Sequence, residues 1–303
     1  MLIVPFQIFT VSCFPALNAR FVSYGSRSAK TPDDSTDGPK NKNNQTSQNV
    51  PLNIAQRSID YIAVLQVPHG YFLHFYVVAL LSSVFWLIQI GTGGSILRSL
   101  CASNLDEVAV ASMSVDQVLL TWSLLTLQGV RRLLESIKWN KSSASKMWFV
   151  HWLLGIAFYL AMGMAVWMDG AEELLRDEPI WLKATFAYPS LKTMLSIPLF
   201  LMASGIQHDC HNYLASLPKY SLPQHPIFNT FVCPHYTAEC LIYLSMAMIS
   251  APPGLWINRT IFAAAIFVTV NLSVTASSTK LWYEKKFGKE KVAHRACMLP
   301  GVW

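Results

Sequence analysis

The amino-acid sequence predicts an all-α fold, a polytopic membrane bundle of about seven transmembrane helices. Three observations carry that expectation. Of the 303 residues, 52% are hydrophobic and only 13% are charged, about half the charged share of a soluble domain. Apolar stretches recur along the chain, most of them near the roughly 20 helical residues that cross a bilayer. The basic residues, part of a net charge of +6, fall between those stretches. That pattern suits membrane topology better than nucleic-acid binding, and no nucleic-acid partner is expected.

The elements follow in order. Residues 2–18, "LIVPFQIFTVSCFPALN", read as a short first span within a unit of residues 1–25. No basic n-region precedes it, so a cleaved signal peptide is not expected. The stretch 26–53 is rich in Ser, Asn, Lys, Asp, Gln and Pro. It carries too little apolar surface to order itself, so residues 26–66 read as a polar cytosolic loop and lead-in. A six-span core, 67–303, follows. Five of its spans lie near 71–92, 107–129, 147–168, 186–205 and 260–278. A sixth, 236–250, is shorter and stops at "APPG". It extends back to Pro234, a residue suited to a helix's first turn because the missing N–H has no intrahelical partner there.

With seven spans the loops alternate sides. Most of the 23 Lys and Arg fall in the loops after spans one, three and five and in the tail, which places those segments and the C-terminus in the cytosol. The sequons at Asn44, Asn140, Asn258 and Asn271 then face the cytosol or lie in or against the bilayer, and no glycan is expected on them. The six cysteines are scattered, with no CxxC pair, and read as free thiols.

Ionisable groups inside a membrane are costly and tend to mark function. Four polar clusters gather at the cytosolic face. The first, "VPHGYFLHFYVV" (67–78), carries His69, Tyr71, His74 and Tyr76; Phe72 and Tyr76 share a helix face, and an interfacial aromatic belt would use the tyrosines equally well. In the second, "QGVRRLLESIKW" (128–139), Arg131 and Glu135 are four apart, as are Gln128 and Arg132. Paired guanidinium groups suit phosphate, or serve as snorkelling anchors. The third, 205–228, holds His208, Asp209, Cys210, His211, Lys219 and Tyr220. "HDCH" is too compressed for tetrahedral zinc, so no metal is expected, and its prolines suggest a shaped loop. In the fourth, His235, Glu239 and Tyr243 stack on one helix face, as cofactor ligands or as an interhelical hydrogen-bond network. "GTGGS" (91–95) lacks a βαβ setting, and neither GxSxG nor HExxH occurs.

"PHYTAECLIYLSMA" (234–247), "QHDCHNYLASLPKY" (207–220) and "WYEKKFGKEKVAHRACMLPGVW" (282–303) resemble the steroid 5-alpha-reductase family, and within it the polyprenol reductase branch in a fungal form. "LQVPHGYFLHFY" (65–76) and "QGVRRLLES" (128–136) extend the resemblance over nearly the whole chain. It implies a seven-helix bundle in the endoplasmic reticulum membrane that binds NADPH through its C-terminal half. By position in the family's motifs, Asp209, Tyr220, His235, Tyr236, Glu239 and Tyr283 would contact or frame NADPH, with Arg132, Lys219 and Arg295 near its phosphates. The Glu–Tyr pair by which the steroid enzymes hold a ketosteroid has no counterpart here. Lys280 stands where the branch often has a histidine, and the ending "GVW" is altered.

The branch implies saturation of the alpha-isoprene unit of a long-chain polyprenoid lipid on the way to dolichol, the carrier for protein N-glycosylation. An isolated allylic double bond accepts hydride poorly. A conjugated aldehyde delocalises the developing charge onto its oxygen, so polyprenal rather than polyprenol is the expected substrate. His74 and Tyr76 are the candidate catalytic groups: either can donate to that oxygen, and His74 could also supply the alpha-carbon proton, a role histidine side chains commonly fill. The alternatives are a 3-oxo-steroid 5-alpha-reductase, a membrane isoprenylcysteine-type methyltransferase, whose His-Pro signature is missing, and a transporter, which would show polar mid-bilayer groups and repeated halves.

Overall fold

The structure, a computed structural model, describes residues 65–102, 112–139, 145–175, 180–185 and 188–298. The expected first span and polar loop lie outside the described residues. The fold is a helical bundle with one addition that the sequence did not announce. Strands β1 (Gln66–Pro68) and β2 (Lys146–Trp148) pair antiparallel. They tie together the entrances of α1 (Phe72–Thr92) and α4 (Phe149–Met168).

Helix α1 ends at Gly93, whose φ of +60° suits a residue without a Cβ. The short α2 (Ser95–Ala102) follows, burying Leu97 and Cys101. Helix α3 (Val115–Lys138) starts later than expected because Ser114 and Gln117 form a capping box there. It also runs past its apolar part, which ends near residue 129, carrying Arg131, Arg132 and Glu135 beyond the apolar segment. Helices α5 (Ala171–Leu175) and α6 (Ile180–Lys183) are short connectors.

Helix α7 (Leu191–Ser216) corrects the expected loop after residue 205. "GIQHDCHNYLAS" contains no proline, so nothing stops the helix before Leu217 and Pro218. The proline-rich turn is confined to the segment before α8 (Pro226–Thr230). Helix α9 (Pro234–Ile249) starts at Pro234 as expected. Helix α10 (Arg259–Phe287) is capped by Asn258 Oδ1, which accepts from Ile261 N at 3.0 Å, and outruns the apolar stretch that ends at 278.

Among the described residues, three helices are long and apolar enough to cross a membrane: His69–Thr92, Phe149–Met168 and Arg259–Phe287. They mark the chain as a membrane protein. Helices α3 and α7 have 24 and 26 residues and are less apolar; α9 has 16. The core is packed by Trp86 against Trp167, ring centroids 4.7 Å apart, with Met162, Phe200, Met246 and Ile261 fully buried. Gly163 lets α4 approach α1 closely: a Cβ there would lie 2.1 Å from Ser82 Oγ.

The end of α9 remote from Pro234 needs donors, because the last carbonyls of a helix lack intrahelical partners. Gln117 Nε2 donates to the Ile249 and Ala251 carbonyls at 3.1 and 2.7 Å. Lys192 Nζ donates to Ala251, Pro252 and Leu255 carbonyls. A lysine at the start of an apolar helix thus has a structural reason: it closes the "APPG" turn.

Candidate functional site

The extension of α3 meets that of α7 around one carboxylate. Glu135 is 4% exposed. Its oxygens take ion pairs from Arg131 and Arg132, and lie 2.7 Å from His208 Nδ1 and 3.0 Å from His211 Nδ1. Burial opposes its charge. The contacts with His211, Arg132, His208 and Arg131 outweigh that and hold the carboxyl well below its usual range. Arg131 Nη2 also reaches Gln128 Oε1 at 2.9 Å and Gln207 Oε1, and Gln128 Nε2 donates to Gln207 Oε1 at 2.9 Å. Gln207 Nε2 then donates to Glu239 on α9. One polar chain therefore runs from α3 through α7 to α9.

Burial pushes His211 down to about 4 from its ordinary 6.5, so the ring is neutral near pH 7. A folded-state value below the unfolded one contributes stability above about pH 6.5 that is lost as pH falls toward 4. The thermal midpoint in detergent should therefore drop across that window, with a smaller drop in His211→Asn.

Beside this chain lies a cavity of about 210 Å³. Helix α4 turns His151, Leu154, Gly155, Phe158 and Tyr159 toward it, spaced as one helix face. Helix α1 adds Phe72, Phe75 and Tyr76, and α10 adds Phe267, Val268, Asn271, Leu272 and Thr275. The polar end is made by Arg132 (α3), Gln207 and His211 (α7), and His235, Tyr236, Glu239 and Tyr243 (α9). Arg132 Nη2 donates to the Tyr76 hydroxyl oxygen at 2.8 Å. The rings of His211 and His235 are 5.4 Å apart, and His235 Nδ1 is buried without a hydrogen-bond partner among the described residues. The site thus offers charge, amides and phenols at one end and aromatic and aliphatic walls at the other.

Comparison with known proteins identifies the lineage. The family model described as 3-oxo-5-alpha-steroid 4-dehydrogenase matches residues 145–303. The chain belongs to this family. It is accordingly an oxidoreductase, related to the 5-alpha-reductases as the motifs implied. Relatives named polyprenal reductase include one from Xenopus laevis, 28% identical over 268 residues, covering 82% of this chain and 81% of the relative. One from Oryza sativa subsp. japonica, named polyprenal reductase 2, is 27% identical over 274 residues, covering 74% and 76%. One from Saccharomyces cerevisiae is 29% identical over 165 residues, covering 54% and 57%.

Within this 5-alpha-reductase-type chain, five of the expected site residues meet at the cavity: Tyr76, Arg132, His235, Tyr236 and Glu239. His74 does not line it; the ring lies 4.4 Å from Tyr71 and 6.1 Å from Trp152. Asp209 and Lys219 are exposed and do not line it. Tyr220, Tyr283 and Arg295 do not line it; they lie where the C-terminal segment docks, beside a cluster that Tyr236 and Leu272 share with the cavity. Phe231 bridges Ala296 in parallel, and Thr237 Oγ1 donates to Met298 O at 2.7 Å. There Tyr220 adopts φ +66° under Lys286 Nζ, 4.9 Å from its ring. Tyr283 packs on the buried cluster of Val232, Val292 and Met298, and Arg295 Nη1 donates to Pro223 O at 2.9 Å. Sequence reasoning did not single out Gln207 or Tyr159 and did not count Glu135 among the site residues; the four-residue spacing of Arg131 and Glu135 was the available signal for the last.

Proposed function

We propose that this oxidoreductase reduces the alpha-isoprene double bond of a long-chain polyprenal with NADPH, in the endoplasmic reticulum membrane, on the route to dolichol for protein N-glycosylation. The observation that carries this reading is the division of the cavity: Glu239, Gln207, His235, Arg132 and Tyr76 at one end, and Phe72, Phe158, Phe267 and Leu272 along the walls. A polar head and an isoprenoid tail need that division. The name shared by the relatives points to the same substrate. A seven-span topology with a cytosolic C-terminus goes with it.

The residues fit a nicotinamide dinucleotide. A buried imidazole nitrogen without a partner among the described residues, on His235, costs about 1–3 kcal/mol unless a ligand satisfies it. Gln207 and Glu239 are the groups suited to a carboxamide, with Arg132 beside them. Asp209, Lys219, Tyr220, Tyr236, Tyr283 and Arg295 complete the proposed cofactor set on the same half of the chain. When bound, the reduced dinucleotide supplies a hydride to the beta carbon of the enal.

Tyr76 is the donor to the aldehyde oxygen. Because its own oxygen accepts from Arg132, its phenolic hydrogen is free to point at the substrate. The adjacent guanidinium favours the negative charge that builds on that oxygen, and fixed donors in a dry site are strongly stabilising. His74, outside the lining, is left to shape the α1–α4 entrance through Trp152.

Purified protein in detergent should oxidise NADPH with polyprenal and not with polyprenol. His235→Ala should weaken NADPH binding about tenfold, the worth of one hydrogen bond near 1.4 kcal/mol. Unchanged NADPH affinity in that variant, or binding of S-adenosylmethionine in place of NADPH, would remove the cofactor assignment.

A further inference from the structure

We infer that Tyr159, on α4, is the acid that protonates the alpha carbon; this rests on the enal-reduction reading above. Saturating an enal needs a proton at that carbon as well as a donor at the oxygen, and one group rarely reaches both. Tyr76 is committed to the oxygen by its pairing with Arg132. The Tyr159 ring lies 5.9 Å from the Tyr76 ring and lines the same cavity. Among the described residues no hydrogen bond reaches its hydroxyl. A phenol on a mostly apolar face, with Phe158 and Leu154 as neighbours in the lining, has a polar atom that only a ligand or water satisfies.

Tyr243 also faces the cavity and likewise has no hydrogen-bonded partner among the described residues. It stands two turns along α9 from His235 and one from Glu239, on the face assigned to the cofactor. Tyr159 comes from a different helix. It can therefore approach the substrate from a side those groups do not occupy.

The step balances as follows. With two electrons delivered to the beta carbon by the reduced nicotinamide, the substrate is an enolate. Its carbon–carbon π pair takes the proton from Tyr159, forming the alpha C–H bond. The O–H pair stays on the phenolate, which recovers a proton from water, and the product is the saturated aldehyde.

The test uses full-length protein in detergent with polyprenal. In deuterated water the wild type should place deuterium at one of the two alpha positions, read by NMR after trapping the aldehyde with borohydride. Tyr159→Phe should lower kcat by about 10²- to 10⁴-fold, the range of general acid catalysis, and scramble that label. With no cofactor present, the absorption shift of the enal on binding should survive in Tyr159→Phe and vanish in Tyr76→Phe. Tyr243→Phe, a matched loss of one buried hydroxyl, should keep the label in one position. A Tyr159→Phe enzyme with wild-type rate and single-sided labelling, or one that loses enal binding, overturns the inference while leaving polyprenal reduction standing. A wild type that reduces no enal overturns both.

Discussion

Glu135→Leu should yield no monodisperse protein in detergent, or protein destabilised by about 3–5 kcal/mol, the cost of removing one partner from a buried charge cluster. Two arginines and two histidines share this carboxylate, and both arginines are mostly buried at 19% exposure. Without it their repulsion is uncompensated in a region that water reaches poorly. Glu135→Gln keeps an acceptor but not the charge, so it should fall between leucine and wild type. The thermal midpoint, followed by size-exclusion profile, reads both. A leucine variant with the wild-type midpoint would mean that the cluster does not organise the α3–α7 junction.

The same carboxylate shows where sequence reading stops. Its spacing from Arg131 was visible, and an i, i+4 pair on an exposed helix contributes only about 0.3–0.5 kcal/mol. What raises its importance is the arrival of His208 and His211 from α7, more than 70 residues away. No local pattern encodes that meeting. It depends on α7 staying helical to Ser216, where the prolines of 218–226 suggested a loop.

Helix faces, by contrast, were legible. The spacing of His235, Glu239 and Tyr243 put them on one side of α9, and all three line the cavity. Phe72 and Tyr76, four apart, do so as well. His74 and Tyr76 are two apart, hence about 200° apart around the helix. A narrow site therefore had no room for both, and periodicity alone argued for choosing between them. Tyr159 was hidden for another reason: a single phenol in the apolar stretch 147–168 reads as core until the neighbouring helices leave it lining a hollow.

Tyr76→Phe should lower kcat by about 10²- to 10³-fold, equivalent to roughly 2.7–4 kcal/mol, as when one donor to a developing oxyanion is deleted. The substitution removes one oxygen and leaves the ring. Tyr76 is 6% exposed, its ring sits 5.9 Å from Tyr159, and the Arg132 guanidinium carbon lies 5.1 Å from its centroid. Both ring contacts survive in phenylalanine, so packing changes little. Arg132 loses one acceptor but keeps Glu135, which limits the structural cost and makes rate the discriminating readout. NADPH affinity should stay within about twofold of wild type, because the groups proposed to hold the cofactor are on other helices. A fall in affinity that matches the fall in kcat/KM would instead make Tyr76 part of the cofactor's wall. Full activity in the phenylalanine enzyme would leave the aldehyde oxygen without its donor and would move the oxygen-binding role to another polar group of the lining, such as Tyr243 or Asn271.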